Sequence, residues 1–178
     1  MNEQSMVETE TKQGRDIEYT VESRSTAYAK ALFDRAKMRL LSVHEWPGYI
    51  SSKTNGYVVT DNHDALQHRI ICNGDHIRTP KGDGVLSDRD IIVSDVGYQM
   101  PTRNAELLSV TLKSASVEDD SEEQNGYLFI LKREGSVVSI QFHEEFRNGF
   151  EPGAGLADIL GFTPEQWDML IRSIITFE

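Results

Sequence analysis

Cysteine occurs once in this chain, at Cys72, which excludes an internal disulfide and a cysteine-ligated zinc site. A lone thiol suits a reducing compartment, so the expected location is the cytoplasm. Basic residues are also short, with 18 Lys and Arg against 29 Asp and Glu and a formal net charge of −11. A nucleic-acid groove and an anionic membrane surface both need concentrated Lys and Arg, so neither is an expected partner. No stretch approaches the roughly 18 consecutive apolar residues of a membrane span. Met1 to Gly14 has no apolar segment of the kind a secretory signal carries, and none is expected.

Several motifs of known chemistry are missing as well. Thr79-Pro80-Lys81-Gly82-Asp83-Gly84 lacks the Gly-Lys-Ser/Thr ending of a phosphate loop. No Gly-x-Ser-x-Gly elbow is present. The acidic block Glu118, Asp119, Asp120, Glu122 and Glu123 lacks the ligand spacing of an EF-hand, and dense like charge predicts an exposed loop. No catalytic set, metal site or cofactor is expected.

What is present is the pattern of one domain. The chain has 178 residues, 38% apolar and 26% charged, enough for a core without staples. Residues 1–15 carry no aromatic residue and no apolar period, and are expected to be a disordered lead-in to a domain spanning 16–178. The strongest local signal lies at the end. Thr163, Pro164 and Gln166 form an N-cap, an N1 proline and a capping box. Trp167, Leu170, Ile171, Ile174 and Ile175 then recur at helical spacing. A helix this short is marginal alone, so its stripe must be buried.

An earlier helix is capped by Ser25 or Thr26, with Ala29, Leu32, Phe33, Ala36, Leu40 and Val43 as its core stripe. Asp34 and Lys37 stand at ion-pair spacing on its wet side. The helix should end before Trp46-Pro47-Gly48. Strand signals surround it. Ile17, Tyr19 and Val21 alternate with polar residues, and short strands are predicted at 57–60, 69–72, 76–77 and 91–93. Leu108, Val110 and Leu112 alternate, and 127–132 with 137–142 brackets a turn at Gly135, the clearest hairpin in the chain. The segment 144–162 is rich in glycine and predicted to be a long surface connection, with Phe146 and Phe150 available for a contact.

The constellations that could carry chemistry are thin. His63, Asp64 and His68 do not share a face on a helix or a strand, which predicts a polar connection. Asp75, Asp83, Asp88, Asp90 and Asp95 supply carboxylates for an acid-dependent hydrolase only if two converge in a cleft. Cys72, after Ile70 and Ile71, is expected to be buried as a small hydrophobe. His143 with Glu144 and Glu145 predicts polar residues at a strand end. The aromatic residues are more suggestive: Tyr57, Tyr98, Phe129, Phe142 and Trp167 are the expected lining of any apolar ligand cavity between the sheet and the last helix.

Two resemblances follow from these residues. Ala31-Leu32-Phe33-Asp34-Arg35-Ala36-Lys37, Leu40-Leu41 and Trp46, with Gly74-Asp75-His76-Ile77-Arg78, Pro80 and Gly82-Asp83-Gly84, resemble a family of small uncharacterised bacterial proteins. That resemblance implies no activity. The order strand, helix, antiparallel sheet, C-terminal helix resembles the helix-grip family of lipid and hydrophobe binders, which implies an apolar cavity between sheet and last helix. The last helix is short for that family, and no second helix is evident before the strands.

The expected fold is therefore α+β: a curved antiparallel sheet of about six strands, an N-terminal helix, and a C-terminal amphipathic helix packed on it. The expected function is non-enzymatic binding or protein interaction. The alternatives are a helix-grip carrier of a small hydrophobic ligand and a hydrolase using aspartates of the 75–95 region.

Overall fold

In the computed structural model the described residues are 16–50, 57–78, 90–115, 126–145 and 163–176. The lead-in 1–15, the turn run 79–89, the acidic block 118–123 and the connection from 146 to 162 lie outside them. In chain order the elements are β1 (Asp16–Glu22), α1 (Thr26–Leu41), a 3-10 turn (Val43–Glu45), α2 (Trp46–Tyr49), β2 (Val58–Thr60), β3 (Leu66–Gln67) and β4 (His76–Arg78). They continue with β5 (Asp90–Thr102), β6 (Ala105–Ala115), β7 (Gly126–Glu134), β8 (Val137–Glu145) and α3 (Pro164–Ile175).

The fold is α+β, with eight strands rather than about six among the described residues. They form one antiparallel sheet in the order β1-β8-β7-β6-β5-β4-β2-β3. Strict alternation in β7 turns Tyr127, Phe129, Leu131 and Arg133 to the buried face. The two-residue β7–β8 turn uses Gly135 at φ +58, a conformation that costs a side-chain-bearing residue about 1 kcal/mol. Arg103-Asn104 makes a second two-residue turn between β5 and β6, where Thr102 pairs with Ala105.

Three expectations are corrected. Strand β5 runs to Thr102 instead of stopping at Val93, because a register shift between Val93 and Asp95 restarts the inward alternation one residue late. Residues 69–72 do not form a strand; Arg69 turns back to bind Asp75, and the Ile71 amide donates to the Leu41 carbonyl. The strand in that region is β3, brought onto β2 by a turn in which the Asp61 carboxylate accepts the amides of His63 and Ala65. The second helix absent from the sequence pattern exists as the single turn α2.

Among the described residues, all three α-helices lie on the same side of the sheet. Helix α3 packs on β1 and β8, and α1 packs on β7, β8 and α3. Ser25 caps α1 by accepting from the Tyr28 amide, and Ala29, Phe33, Ala36 and Leu40 are its fully buried face. The α3 capping box forms in both directions: Thr163 Oγ1 accepts from the Gln166 amide at 3.2 Å, and Gln166 Oε1 accepts from the Thr163 amide at 2.9 Å. Trp167, Leu170, Ile171, Ile174 and Ile175 are buried as the periodicity predicts. Arg39 of α1 donates to the Ser173 and Thr176 carbonyls at 2.7 and 2.9 Å, satisfying groups left open at a helix C-terminus.

Candidate functional site

Cross-strand register defines three rows on the helix-bearing face of the sheet. The first runs Ile17, Phe142, Phe129, Val110, Val96, and the second runs Tyr19, Ile140, Leu131, Leu108, Tyr98. The third runs Val21, Val138, Arg133, Glu106. Each starts on β1 with a half-buried residue; the first two end on β5 and the third on β6. Cover is lost at the β5 end of the first two rows, whereas the third ends in buried Arg133 and Glu106. Phe142, Phe129 and Val110 are fully buried, whereas Val96 is half-buried. Ile140, Leu131 and Leu108 are buried, whereas Tyr98 is 48% exposed.

The covered end is filled by aromatic rings. Trp167 of α3 stacks on Phe142 with centroids 5.0 Å apart and planes 10° apart. Phe129 tilts against Phe142 at 4.9 Å and lies 6.4 Å from Trp167. Trp46 closes the group edge-on to Trp167 at 6.5 Å and donates its indole N–H to the Arg39 carbonyl. Tyr19 of β1 donates to Asp168 at 2.6 Å and accepts from Arg172 at 3.2 Å, which ties α3 to the sheet edge.

The open end carries charge. Glu106 extends the inward series Glu106, Leu108, Val110, Leu112, and its side chain is fully buried. Its carboxylate accepts from Lys30 Nζ at 2.8 Å, Tyr98 Oη at 2.6 Å and Arg133 Nε at 2.6 Å. Burial raises the Glu106 pKa, but the hydrogen bonds from Lys30, Tyr98 and Arg133 outweigh it and bring the carboxyl from 4.5 down to about 2. Hydrogen bonds from Lys30 to Asp34 and Glu106 raise the lysine's own pKa and keep it charged. Lys30, Asp34 and Lys37 share one side of α1 through i, i+4 and i, i+3 spacing, and Lys37 Nζ stands 5.1 Å from the Tyr98 ring centroid.

The five aromatic residues expected to line a cavity thus fall in different places. Phe129, Phe142 and Trp167 meet in the closed cluster, Tyr98 stands at the open end, and Tyr57 is buried just before β2. Burial pushes the Tyr57 hydroxyl pKa upward. Lys30, Glu106 and Arg133 were not singled out from the sequence. A signal existed: Glu106 and Arg133 prolong the apolar alternations of two adjacent strands with residues of opposite charge.

Cys72 is exposed, contrary to the expectation of a buried thiol, because residues 69–75 form a surface turn. The buried members of that turn are Ile71 and Asp75. Arg69 grips Asp75 with two N–H donors at 2.7 and 3.0 Å, and the Cys72 amide donates to it at 2.7 Å. The turn is pinned to the β5 bulge: the Val93 amide donates to the Asp75 carbonyl, and the Val96 amide donates to Asn73 Oδ1. Asp83 and Asp88 lie outside the described residues. His143 pairs across strands with Asp16 at 2.7 Å. Among the described residues, no three His, Cys, Asp or Glu groups are placed to hold a metal ion, and no helix is long and apolar enough to cross a membrane.

No family model matches the chain, and no curated protein matches it. Among solved structures it is similar to Ara h 8.0201, at 11% identity over 90% of this chain and 95% of that one, with a TM-score of 0.43. It is also similar to the major latex-like protein 151 from Panax ginseng, at 11% identity over 90% and 92% of the two chains and a TM-score of 0.37. NdmB of Pseudomonas putida CBB5 matches at 11% identity and a TM-score of 0.31, over 92% of this chain and 42% of that one. The first two are of the helix-grip type. Likenesses at this level assign no function to this chain.

Proposed function

We propose that the protein is a non-enzymatic carrier of a small apolar ligand, which lies on the open side of the sheet against Val96, Tyr98 and α1. The observation that carries this is the loss of cover along two of the sheet rows, from fully buried Phe142 and Ile140 on β8 to half-buried Val96 and half-exposed Tyr98 on β5. An inward-facing apolar surface with convergent polar groups at one margin is the usual composition of a ligand site. Phe129, Phe142 and Trp167 belong to the closed core beneath α3 and lie outside this site. The exposed free thiol of Cys72 suits a reducing compartment, which favours a cytoplasmic location.

Protein interaction is the second reading, favoured by half-exposed Tyr28, Met38, Leu66 and Met169. Single exposed apolar residues are ordinary on a soluble surface, so it ranks below the carrier. An acid-dependent hydrolase ranks lowest, since Asp75 is held two-pronged by Arg69.

Titration of the full chain with the uncharged fluorophore phenylnaphthylamine tests the carrier. Saturable enhancement is expected, retained in Tyr98→Phe and weakened about fivefold or more in Tyr98→Asp, about the loss for one buried aromatic contact. Absence of saturable binding by the wild-type chain overturns it.

A further inference from the structure

We infer that the ligand is an amphipathic anion, whose acidic head is met by Lys37 while its apolar body lies over Tyr98 and Val96. This rests on the carrier proposal and adds the ligand's charge. The whole chain carries −11, yet the cluster at the open end holds three cations, Lys30, Lys37 and Arg133, against two carboxylates, Asp34 and Glu106. The two carboxylates are already taken. Glu106 is neutralised by Arg133 at 2.6 Å and Lys30 at 2.8 Å, and Asp34 is bound by Lys30 at 2.7 Å.

Lys37 is the cation left with capacity. Its nearest carboxylate oxygen, on Asp34, is 3.9 Å away, beyond a hydrogen bond of good length. Its ammonium stands over the edge of the apolar surface, 5.1 Å from the Tyr98 centroid, and its side chain is 30% exposed. A neutral ligand leaves that charge unused; a cationic one meets local repulsion. An anion gains a charge-assisted contact at a partly desolvated position.

Two fluorophores that share a ring system separate the charge from the apolar body: anilinonaphthalene sulfonate and uncharged phenylnaphthylamine. The expected result is sulfonate binding about tenfold tighter than that of the neutral probe, the worth of one good ionic contact. Lys37→Gln should remove that preference, Lys37→Arg should keep it, and Asp34→Asn should increase it. Phenylnaphthylamine affinity should change much less than sulfonate affinity in each of the three. Added salt should weaken only the sulfonate. If phenylnaphthylamine binds and Lys37→Gln leaves sulfonate affinity unchanged, or lowers both probes equally, the anionic ligand is wrong and the carrier stands. If phenylnaphthylamine does not bind, both fall.

Discussion

Glu106 illustrates how a buried charge is made tolerable at the scale of one residue. Taking a carboxylate out of water costs several kcal/mol, and here three donors on three elements replace the lost solvent. Removing the charge strands its partners, so Glu106→Gln should cost about 3 kcal/mol in denaturant unfolding at pH 7. The sign of the pH dependence follows from the lowered pKa. The folded-state value is about 2 and the ordinary value 4.5, so the contribution is complete above 4.5 and is lost as pH falls toward 2. The stability gap between wild type and Glu106→Gln should therefore narrow across that window; a gap independent of pH would contradict the assigned ionisation. Neither Glu106 nor Arg133 is conspicuous in the sequence, because charged residues at strand ends are ordinary and only the register of β6 on β7 makes them face each other inside.

Among the elements, α3 is the one most fully legible in the sequence. Its cap, its first proline and its apolar stripe act locally, and local signals survive folding unchanged. Thr163→Ala should remove the bond to the Gln166 amide, lower stability by about 1 kcal/mol and speed amide exchange in the first turn. Unchanged exchange at Gln166 would show that the capping box is not holding the helix start. Strand β5 is the opposite case. Ile91 and Val93 point inward, then Val96 and Tyr98 do, so the bulge splits one strand into two patterns of opposite phase. A template of period two loses the strand at that point. Past the bulge, Gly97 pairs with Ser109, whose Oγ would have to turn aside from a Cβ placed 2.9 Å away. The error at 69–72 has a related cause: the Ile70-Ile71-Cys72 run reads as a strand, while the Arg69–Asp75 pair, invisible in periodicity, turns it into a clamp on the bulge.

Over the whole molecule, the helices and the sheet differ in extent. The sheet is eight strands wide among the described residues, while α1 and α3 concentrate on β1, β7 and β8. Trp46, Phe129, Phe142 and Trp167 fill the space where helix and sheet meet, so the last helix is first a lid on an aromatic core. The sequence showed that such a lid exists and which residues form its stripe. It could not show where the lid stops, because extent of cover depends on how far α1 and α3 reach across strands distant in the chain. The proposed ligand site lies at that limit, between α1 and β5. The most direct measurement is an amide-resolved NMR titration of the full chain with phenylnaphthylamine. The account predicts saturable shifts at Val96, Tyr98, Leu108 and Lys37 with β1 unmoved; shifts confined to β1 or to the sequence around Leu66, or no saturable shift at all, would contradict it.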